Sequence, residues 1–356
     1  MTNMVKTDIR SLNLDQIKDA FIANGDKAFR GLQVYEWLWK KACTDFNQMT
    51  NLGIETREWL QHNFVINDIA TVDKQVSNDG TIKSGFRLHD GHLVEGVLIP
   101  ADERMTACVS SQVGCSLTCK FCATGKMERE RNLTSGEIYD QVVQIRNWAM
   151  HHFQKPLTNI VFMGMGEPLL NYANVLKAID KITSQDGLGM AADRITVSTA
   201  GIAKMIRKLA DDEVRFNLAL SLHAANDAKR NMIMPINESN SLKEVGEALK
   251  YFHLKTKKRV TFEYIAFKNF NESIQDAKEL LAFCKKFPAK VNVIEYNSTG
   301  DGQFEKADSD KIDQFCAYLE KNGVVAKVRR SRGKDIDAAC GQLANKKHEE
   351  ALFQEG

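Results

Sequence analysis

Apolar residues recur at three- and four-residue intervals from about residue 14 to 62, in LDQIKDAFIANG and GLQVYEWLWKKACTDFNQM, with Asn24-Gly25 breaking the run. That period predicts amphipathic helices separated by a turn, and hence a small all-helical N-terminal domain over residues 1–75. In SGFRLHDGHLVEGVLIP the period shortens to two, and alternating runs flank Asp90-Gly91, a strong short-range hairpin signal. An antiparallel pair is expected at residues 86–88 and 92–99, inside a hairpin extension over 76–100. Buried apolar runs then alternate with helical stretches: MTACVSS, LTNIVFMG, RITVSTAG, RFNLALSLHA, RVTFEYIAF, KVNVIEYN and VVAKVRR. Six or seven such strands over about 230 residues predict βαβ units, a parallel sheet and a full or partly open α/β barrel over 101–335, followed by a C-terminal segment over 336–356. Barrel chemistry gathers at the C-terminal strand ends, so residues just after each strand are the candidates.

Bulk properties exclude little but set the compartment. The 356 residues suffice for one large domain and an appendage. Residues 1–11 lack the basic-then-apolar pattern of a signal peptide, and no apolar run approaches a membrane span of about 18 residues, so a cytoplasmic protein without membrane contact is expected. A net charge of +2 neither demands nor excludes nucleic acid, which leaves local clusters to decide. Lys27, Arg30, Lys40 and Lys41 interleave with Tyr35, Trp37 and Trp39; this is either an RNA-facing surface or an amphipathic helix with core aromatics. Eight cysteines in a reducing compartment speak against a disulfide framework. Cys43, Cys284 and Cys316 fall in patterned helical segments and read as core.

Directly after the first barrel strand stands VGCSLTCKFCATG, in which Cys115, Cys119 and Cys122 form C-x3-C-x2-C. Three thiols within eight residues of one loop are poorly explained by packing. Structural zinc usually takes four protein ligands in two separated pairs, whereas three thiolates can hold three irons of a four-iron cluster and leave the fourth open. This array resembles that of the radical S-adenosylmethionine (SAM) superfamily, which implies a partial (β/α)6-type radical SAM barrel and one [4Fe-4S] cluster. In that superfamily the open iron takes the amino and carboxylate groups of SAM, and reduction releases a 5′-deoxyadenosyl radical. The resemblance extends to later strand ends and implies SAM contacts from Gly166 and Glu167 in GMGEP, Ser198 in VSTAG, Ser221, Leu222 and His223 in SLH, and Asn297 in EYN. Around Asn297 the chain reads IEYNSTG, where the family usually has Phe before the asparagine and often Pro after it.

Two further thiols and a carboxylate stand apart. Cys108, in the first strand, is either a small buried residue or a reactive thiol. Glu95 shares the strand face of Leu93, Val97 and Ile99, or is a solvated charge at a frayed edge. Cys340 closes VRRSRGKDIDAACGQL. Together with CSLTCKFC, GMGEP, ALSLHA and NDAKRNMIMPIN, this stretch resembles the RlmN/Cfr family of RNA methyltransferases over essentially the whole chain. The resemblance implies methylation of an adenine ring carbon: carbon 2 in 23S rRNA and at adenosine 37 of tRNAs, or carbon 8 in the Cfr branch.

Carbon 2 of adenine is electron-poor and has no lone pair with which to attack a sulfonium methyl, which closes polar transfer. A thiolate can be methylated, so Cys340 is the implied methyl carrier, Cys108 the thiol that releases the adduct through a transient disulfide, and Glu95 the proton acceptor. Two SAM molecules per turnover, an electron donor such as flavodoxin with its reductase, and a monomer complete the implied system. Lys327, Arg329, Arg330, Arg332 and Lys334 are expected phosphate contacts, with Arg230 a second candidate RNA contact. A non-catalytic, zinc-stabilised RNA-binding protein is the competing class.

Overall fold

The computed structural model describes residues 6–300 and 302–345. The outer ends of the expected N-terminal domain and C-terminal segment, residues 1–5 and 346–356, lie outside the described residues. β1 (Thr7–Asp8) precedes α1 (Leu14–Ala23), α2 (Phe29–Trp39) and α3 (Ile54–Asn63), and β2 (Phe64–Val65) pairs with β1 in parallel to close the unit. The first helix forms where the period placed it, but the second stops at Trp39, so residues 40–49, with Cys43, are a loop holding one short 3-10 turn, and the β1–β2 pair makes the unit mainly rather than wholly helical. Asn13 and Gln16 make a reciprocal capping box at the start of α1, and Gly25 takes φ 79° at the break after it. Trp39 is fully buried, whereas Lys41 lies over the half-buried Trp37 ring at 3.5 Å, so the aromatics serve the core and the lysines its surface.

β3 (Ala70–Val76), β4 (Ile82–Arg87) and β5 (Leu93–Ala101) form an antiparallel meander, and β6 (Arg104–Cys108) pairs antiparallel with β5. The expected hairpin is present but longer than its apolar alternation, because Lys83 and Ser84 are buried polar residues of β4 that hide the period. β3 was not expected: TVDKQV is a polar edge strand whose outward charges discourage further pairing. After β6, a short antiparallel pair, β7 (Gln112–Val113) and β8 (Arg131–Asn132), precedes α4 (Ser135–Phe153).

Strands and helices then alternate as β9 (Asn159–Phe162), α5 (Tyr172–Thr183), β10 (Ile195–Thr199), α6 (Ala203–Asp211) and β11 (Asn217–Ser221). α7 (Asp227–Ile233) and α8 (Leu242–Thr256) lead to β12 (Val260–Ala266), α9 (Ile274–Cys284), β13 (Ala289–Glu295), α10 (Ser309–Lys321) and β14 (Val325–Arg329). One ten-stranded sheet runs β14-β13-β12-β11-β10-β9-β6-β5-β4-β3, parallel from β14 through β6. β14 and β3 are its two ends, so the sheet stays open. Phe162, Ser198, Ser221, Glu263, Ile294 and Arg329, one from each strand from β9 to β14, line one cavity, so the parallel part curls as a partial barrel with the antiparallel meander as an extension. All seven positions of β12 are buried, as a strand covered on both faces requires. Cys43, Cys284 and Cys316 are buried. Among the described residues no helix is long and apolar enough to cross a membrane.

The helical unit is fastened to the barrel by charge as well as packing. Arg10 Nη1 meets Asp140 Oδ1 at 2.6 Å with both side chains buried, a second guanidinium nitrogen donates to the Asn67 carbonyl, and Tyr139 donates to the Trp39 carbonyl. Gly136 makes room for this pair, since a Cβ there would lie 2.9 Å from Arg10 Cζ. Removing one partner leaves an uncompensated buried charge, so Asp140→Ala is expected to cost about 3–5 kcal/mol. Urea unfolding followed by tryptophan fluorescence checks this; an unchanged midpoint would contradict it.

Candidate active site

The cysteine loop is an excursion closed at its neck by the β7–β8 pair, in which Val113 faces Arg131. Inside it, the Cys122 amide donates to the Cys119 carbonyl at 3.1 Å, and the Gly125 amide to the Cys122 carbonyl at 3.1 Å. Gly125 is required, because a Cβ there would sit 2.7 Å from the Cys119 carbonyl oxygen. Cys115, Cys119 and Cys122 line one cavity at the C-terminal end of the barrel, with Gly166, Glu167, Ser198, Ser221, His223 and Cys340. Burial pushes the Cys115 thiol up to about 11 and raises Cys119 and Cys122 as well, so at neutral pH these groups keep their protons and would release them on binding a cation. Among the described residues no three His, Cys, Asp or Glu side chains close around a single ion. A four-iron cluster asks for a different spacing, with each thiolate on its own iron, and the donor set fits it.

The opposite wall is rigid. Glu167 is buried; its amide donates to Gln112 Oε1 at 2.8 Å, and its carboxylate accepts from the amides of Leu169 at 3.0 Å and Ala200 at 2.8 Å. Burial outweighs those bonds and raises its pKa to about 6, so a neighbouring ammonium group would restore its charge. Gly166 has φ 93°, and a Cβ at that position would fall 2.5 Å from Gln112 Cβ, so only glycine fits. Ser198 Oγ and Ser221 Oγ are 3.2 Å apart. Leu222 is fully buried and off the cavity wall; its amide donates to the Glu263 carbonyl at 3.0 Å. Asn297 is also off the wall, donating to Ser331 Oγ at 2.9 Å and to the Glu295 carbonyl at 3.3 Å.

Cys340 reaches the cavity on a segment stitched to two other parts of the fold. The Ala123 amide donates to the Gly341 carbonyl at 2.8 Å and Thr124 Oγ1 to the Leu343 carbonyl at 2.6 Å, both from the cysteine loop. From the extension, Asp79 Oδ2 accepts from the Gly333 amide at 2.9 Å, and Glu95 Oε2 accepts from the amides of Ala344 at 2.8 Å and Asn345 at 3.2 Å. Glu95 is therefore no frayed-edge charge: it is buried, and its Oε1 pairs with Lys83 at 3.2 Å. Cys108 is buried behind the wall, its thiol pushed up to about 12 by burial and the neighbouring Cys340, with Arg329 opposing.

The basic run divides. Arg329 turns inward onto the cavity wall, 3.8 Å from Glu263, rather than outward to solvent phosphate, because β14 side chains alternate between faces. Arg330 and Lys334 pair with buried Glu295, joined by Lys306 at 3.2 Å; against the effect of burial, these cations hold Glu295 at about 2. Three half-exposed cations on one carboxylate leave excess positive charge at the barrel rim. Arg230 is not an RNA contact. It is fully buried and donates to the carbonyls of Leu222 at 3.1 Å, Ser221 at 3.3 Å and Ala200, and to Asn237 Oδ1 at 2.6 Å. Its work is to fix the ends of β10 and β11. Sequence reasoning missed Glu263, which also lines the cavity. The signal was available: a lone carboxylate between Phe262 and Tyr264 in a strand whose only other non-aromatic polar residue is Thr261.

His223 has a defined tautomer. The Ile265 amide donates to its Nδ1 at 3.0 Å, so the ring proton sits on Nε2. Burial, reinforced by Arg230, lowers its pKa from 6.5 to about 3. The unfolded chain takes a proton that the folded ring refuses, so this residue's contribution to stability is lost as pH falls from 6.5 toward 3. In the metal-free protein the His223 ring signals are expected to stay constant from roughly pH 8 to pH 5 by NMR; a midpoint near 6.5 would contradict a ring held neutral by burial and Arg230.

Comparison with known proteins matches this geometry. Residues 7–66 match the model of the ribosomal RNA large subunit methyltransferase N-terminal domain, and residues 109–283 that of the radical SAM superfamily. The chain is 63% identical over 345 residues to "Probable dual-specificity RNA methyltransferase RlmN" of Cytophaga hutchinsonii, covering 97% of this chain and 94% of that one. It is 58% identical to the protein of the same name from Flavobacterium psychrophilum, covering 96% and 98%. A crystal structure of a radical SAM methyltransferase from Sphaerobacter thermophilus superposes with a TM-score of 0.89 at 37% identity, covering 95% of this chain and 99% of that one. A partial barrel with three loop cysteines, a matching N-terminal unit and full-length relatives thus lead to one conclusion: the chain belongs to the RlmN family of radical SAM RNA methyltransferases.

Proposed function

We propose that the protein methylates carbon 2 of adenosine in 23S rRNA and of adenosine 37 in tRNAs, carrying the new carbon on Cys340. The observation that supports this most is that Cys340 lines the same cavity as Cys115, Cys119, Cys122 and Glu167, on a segment hydrogen-bonded to the cysteine loop. Cys115, Cys119 and Cys122 would hold one [4Fe-4S] cluster. Gly166, Glu167, Ser198, Ser221 and His223 would line the SAM site, with Leu222 and Asn297 shaping it from behind. When bound, cluster and SAM supply a transferable methyl group and a hydrogen-abstracting radical, one SAM for each.

The protein's own groups account for the rest. The Cys340 thiolate takes the methyl group, and its sulfur then tethers the methylene that joins adenine carbon 2, leaving a carbon–sulfur bond between RNA and protein. Glu95 accepts the proton lost from carbon 2, and the unpaired electron left on the adduct by the radical addition passes to an external one-electron acceptor of the flavodoxin class, so the adduct closes as an even-electron thioether. The Glu95 carboxylate is occupied by the amides of Ala344 and Asn345 in the closed segment, so it serves once the segment shifts to admit the base. Cys108 sulfur attacks Cys340 sulfur; a disulfide forms, the carbon–sulfur bond breaks, and its electron pair stays with the methylene carbon, which takes a proton to become methyl. An external dithiol then reduces the disulfide. This chemistry suits a monomer in the cytoplasm served by a flavodoxin-type electron donor. The N-terminal helical domain and the excess charge around Glu295 offer phosphate contacts that orient the RNA.

The test is anaerobic reconstitution with iron and sulfide, followed by incubation with SAM, reductant and rRNA or tRNA, and mass spectrometry of the nucleosides. 2-Methyladenosine is expected; 8-methyladenosine alone, or no methyladenosine, would overturn the reading. Cys108→Ala is expected to accumulate a covalent protein–RNA adduct and Cys340→Ala to form none. An adduct that survives Cys340→Ala would remove Cys340 as carrier.

A further inference from the structure

Glu263 is the one cavity-lining carboxylate that the reaction above leaves without work. It lies at the centre of β12, buried between Phe262 and Tyr264, in a strand whose every position is buried. One carboxylate oxygen, Oε1, accepts from Asn292 Nδ2 at 2.8 Å, which fixes the side chain. The other, Oε2, has no hydrogen-bond partner; Arg329 Nη1 stands 3.8 Å away, near enough for an ion pair and too far for a hydrogen bond. Arg329 also lines the cavity, and the same Nη1 otherwise reaches only the weak acceptor Met163 Sδ, at 4.0 Å. A buried, orphaned acceptor beside a poorly used donor is costly to maintain and is a common mark of a ligand contact.

We propose that Glu263 Oε2 accepts a hydrogen bond from the exocyclic amine of an adenine ring bound in this cavity, with Arg329 donating to a ring nitrogen of the same edge. This rests on the RNA methyltransferase reading, which brings two adenines here, that of SAM and that of the target nucleotide. The amine offers N–H donors, and an adjacent ring nitrogen is an acceptor, so a carboxylate and a guanidinium side by side present the complementary pair. Burial raises the Glu263 pKa and Arg329 opposes that rise, so the cation keeps the acceptor form available. Asn292, on the neighbouring strand, is then a positioning residue.

The reconstituted holoenzyme tests the assignment with two probes that do not need turnover. Equilibrium dialysis measures the affinity for SAM. Filter binding compares an rRNA substrate carrying adenosine at the modified position with the same RNA carrying purine riboside, which lacks the amine. Glu263→Gln keeps the volume and replaces one acceptor by a donor; Glu263→Asp withdraws the acceptor, and thermal melting verifies that each variant folds. Loss of one charge-assisted hydrogen bond is expected to weaken binding roughly tenfold to a hundredfold. A drop in SAM affinity with unchanged RNA discrimination assigns the acceptor to the adenine of SAM. Loss of the preference for adenosine over purine riboside, with SAM affinity unchanged, assigns it to the target base. Folded variants that leave both measurements at wild-type values overturn the proposal alone, whereas wild-type enzyme that binds neither SAM nor RNA overturns the methyltransferase reading with it.

Discussion

The site depends on a junction between two parts of the chain more than two hundred positions apart. Thr124 Oγ1 meets the Leu343 carbonyl across a separation of 219 residues, and the Ala123 amide meets the Gly341 carbonyl at 2.8 Å. These bonds set a segment rich in small residues against the cysteine loop and bring Cys340 into the cavity. The sheet makes the meeting possible: β6 feeds the loop and β14 feeds the segment, and in a parallel array both leave from the same end. The antiparallel extension holds the segment from its other side through Asp79, Lys83 and Glu95. A flat sheet with the same strands would leave the two ends too far apart.

Charge inside the barrel is used to fix positions. Arg230 gathers the carbonyls at the ends of β10 and β11, and Glu167 gathers the amides of Leu169 and Ala200. Each group is buried and multiply bonded, so rotation would strand polar atoms and is resisted. Ser198, Ser221 and His223 inherit that rigidity from the backbone that carries them. The thiols are treated differently. Cys108 and the three loop cysteines are held as neutral thiols by burial, while Cys340 lines the cavity together with Arg329.

Much of this was legible in the chain, because strand and helix periods are local and the barrel places strand ends together by topology. Strand periods put GMGEP, VSTAG and SLH at successive strand ends, and the family resemblance implied that they share one site; Leu222 and Asn297, from the same implied set, lie off the cavity wall. The misreadings concern residues whose environment is set by distant partners. Arg230 looked like a surface cation because nothing within a few positions of it reveals the three carbonyls it serves. Arg329 looked like its neighbours in a basic run, although strand alternation turns it inward while Arg330 faces Glu295. Glu95 could be read as buried or frayed from its own strand, and only the Ala344 and Asn345 amides decide between them. β3 was invisible for a related reason: an edge strand needs no apolar face of its own when a neighbour supplies the pairing.

The central claim is that the thiol delivered by this junction carries the methyl group. It is tested most directly by producing the protein with iron–sulfur assembly intact in cells fed methyl-labelled methionine, and mapping the label by peptide mass spectrometry. The account predicts an S-methyl group, bearing the label, on Cys340 and none on Cys108. Label on Cys108, or an unmodified Cys340 in protein with a full cluster, would contradict it.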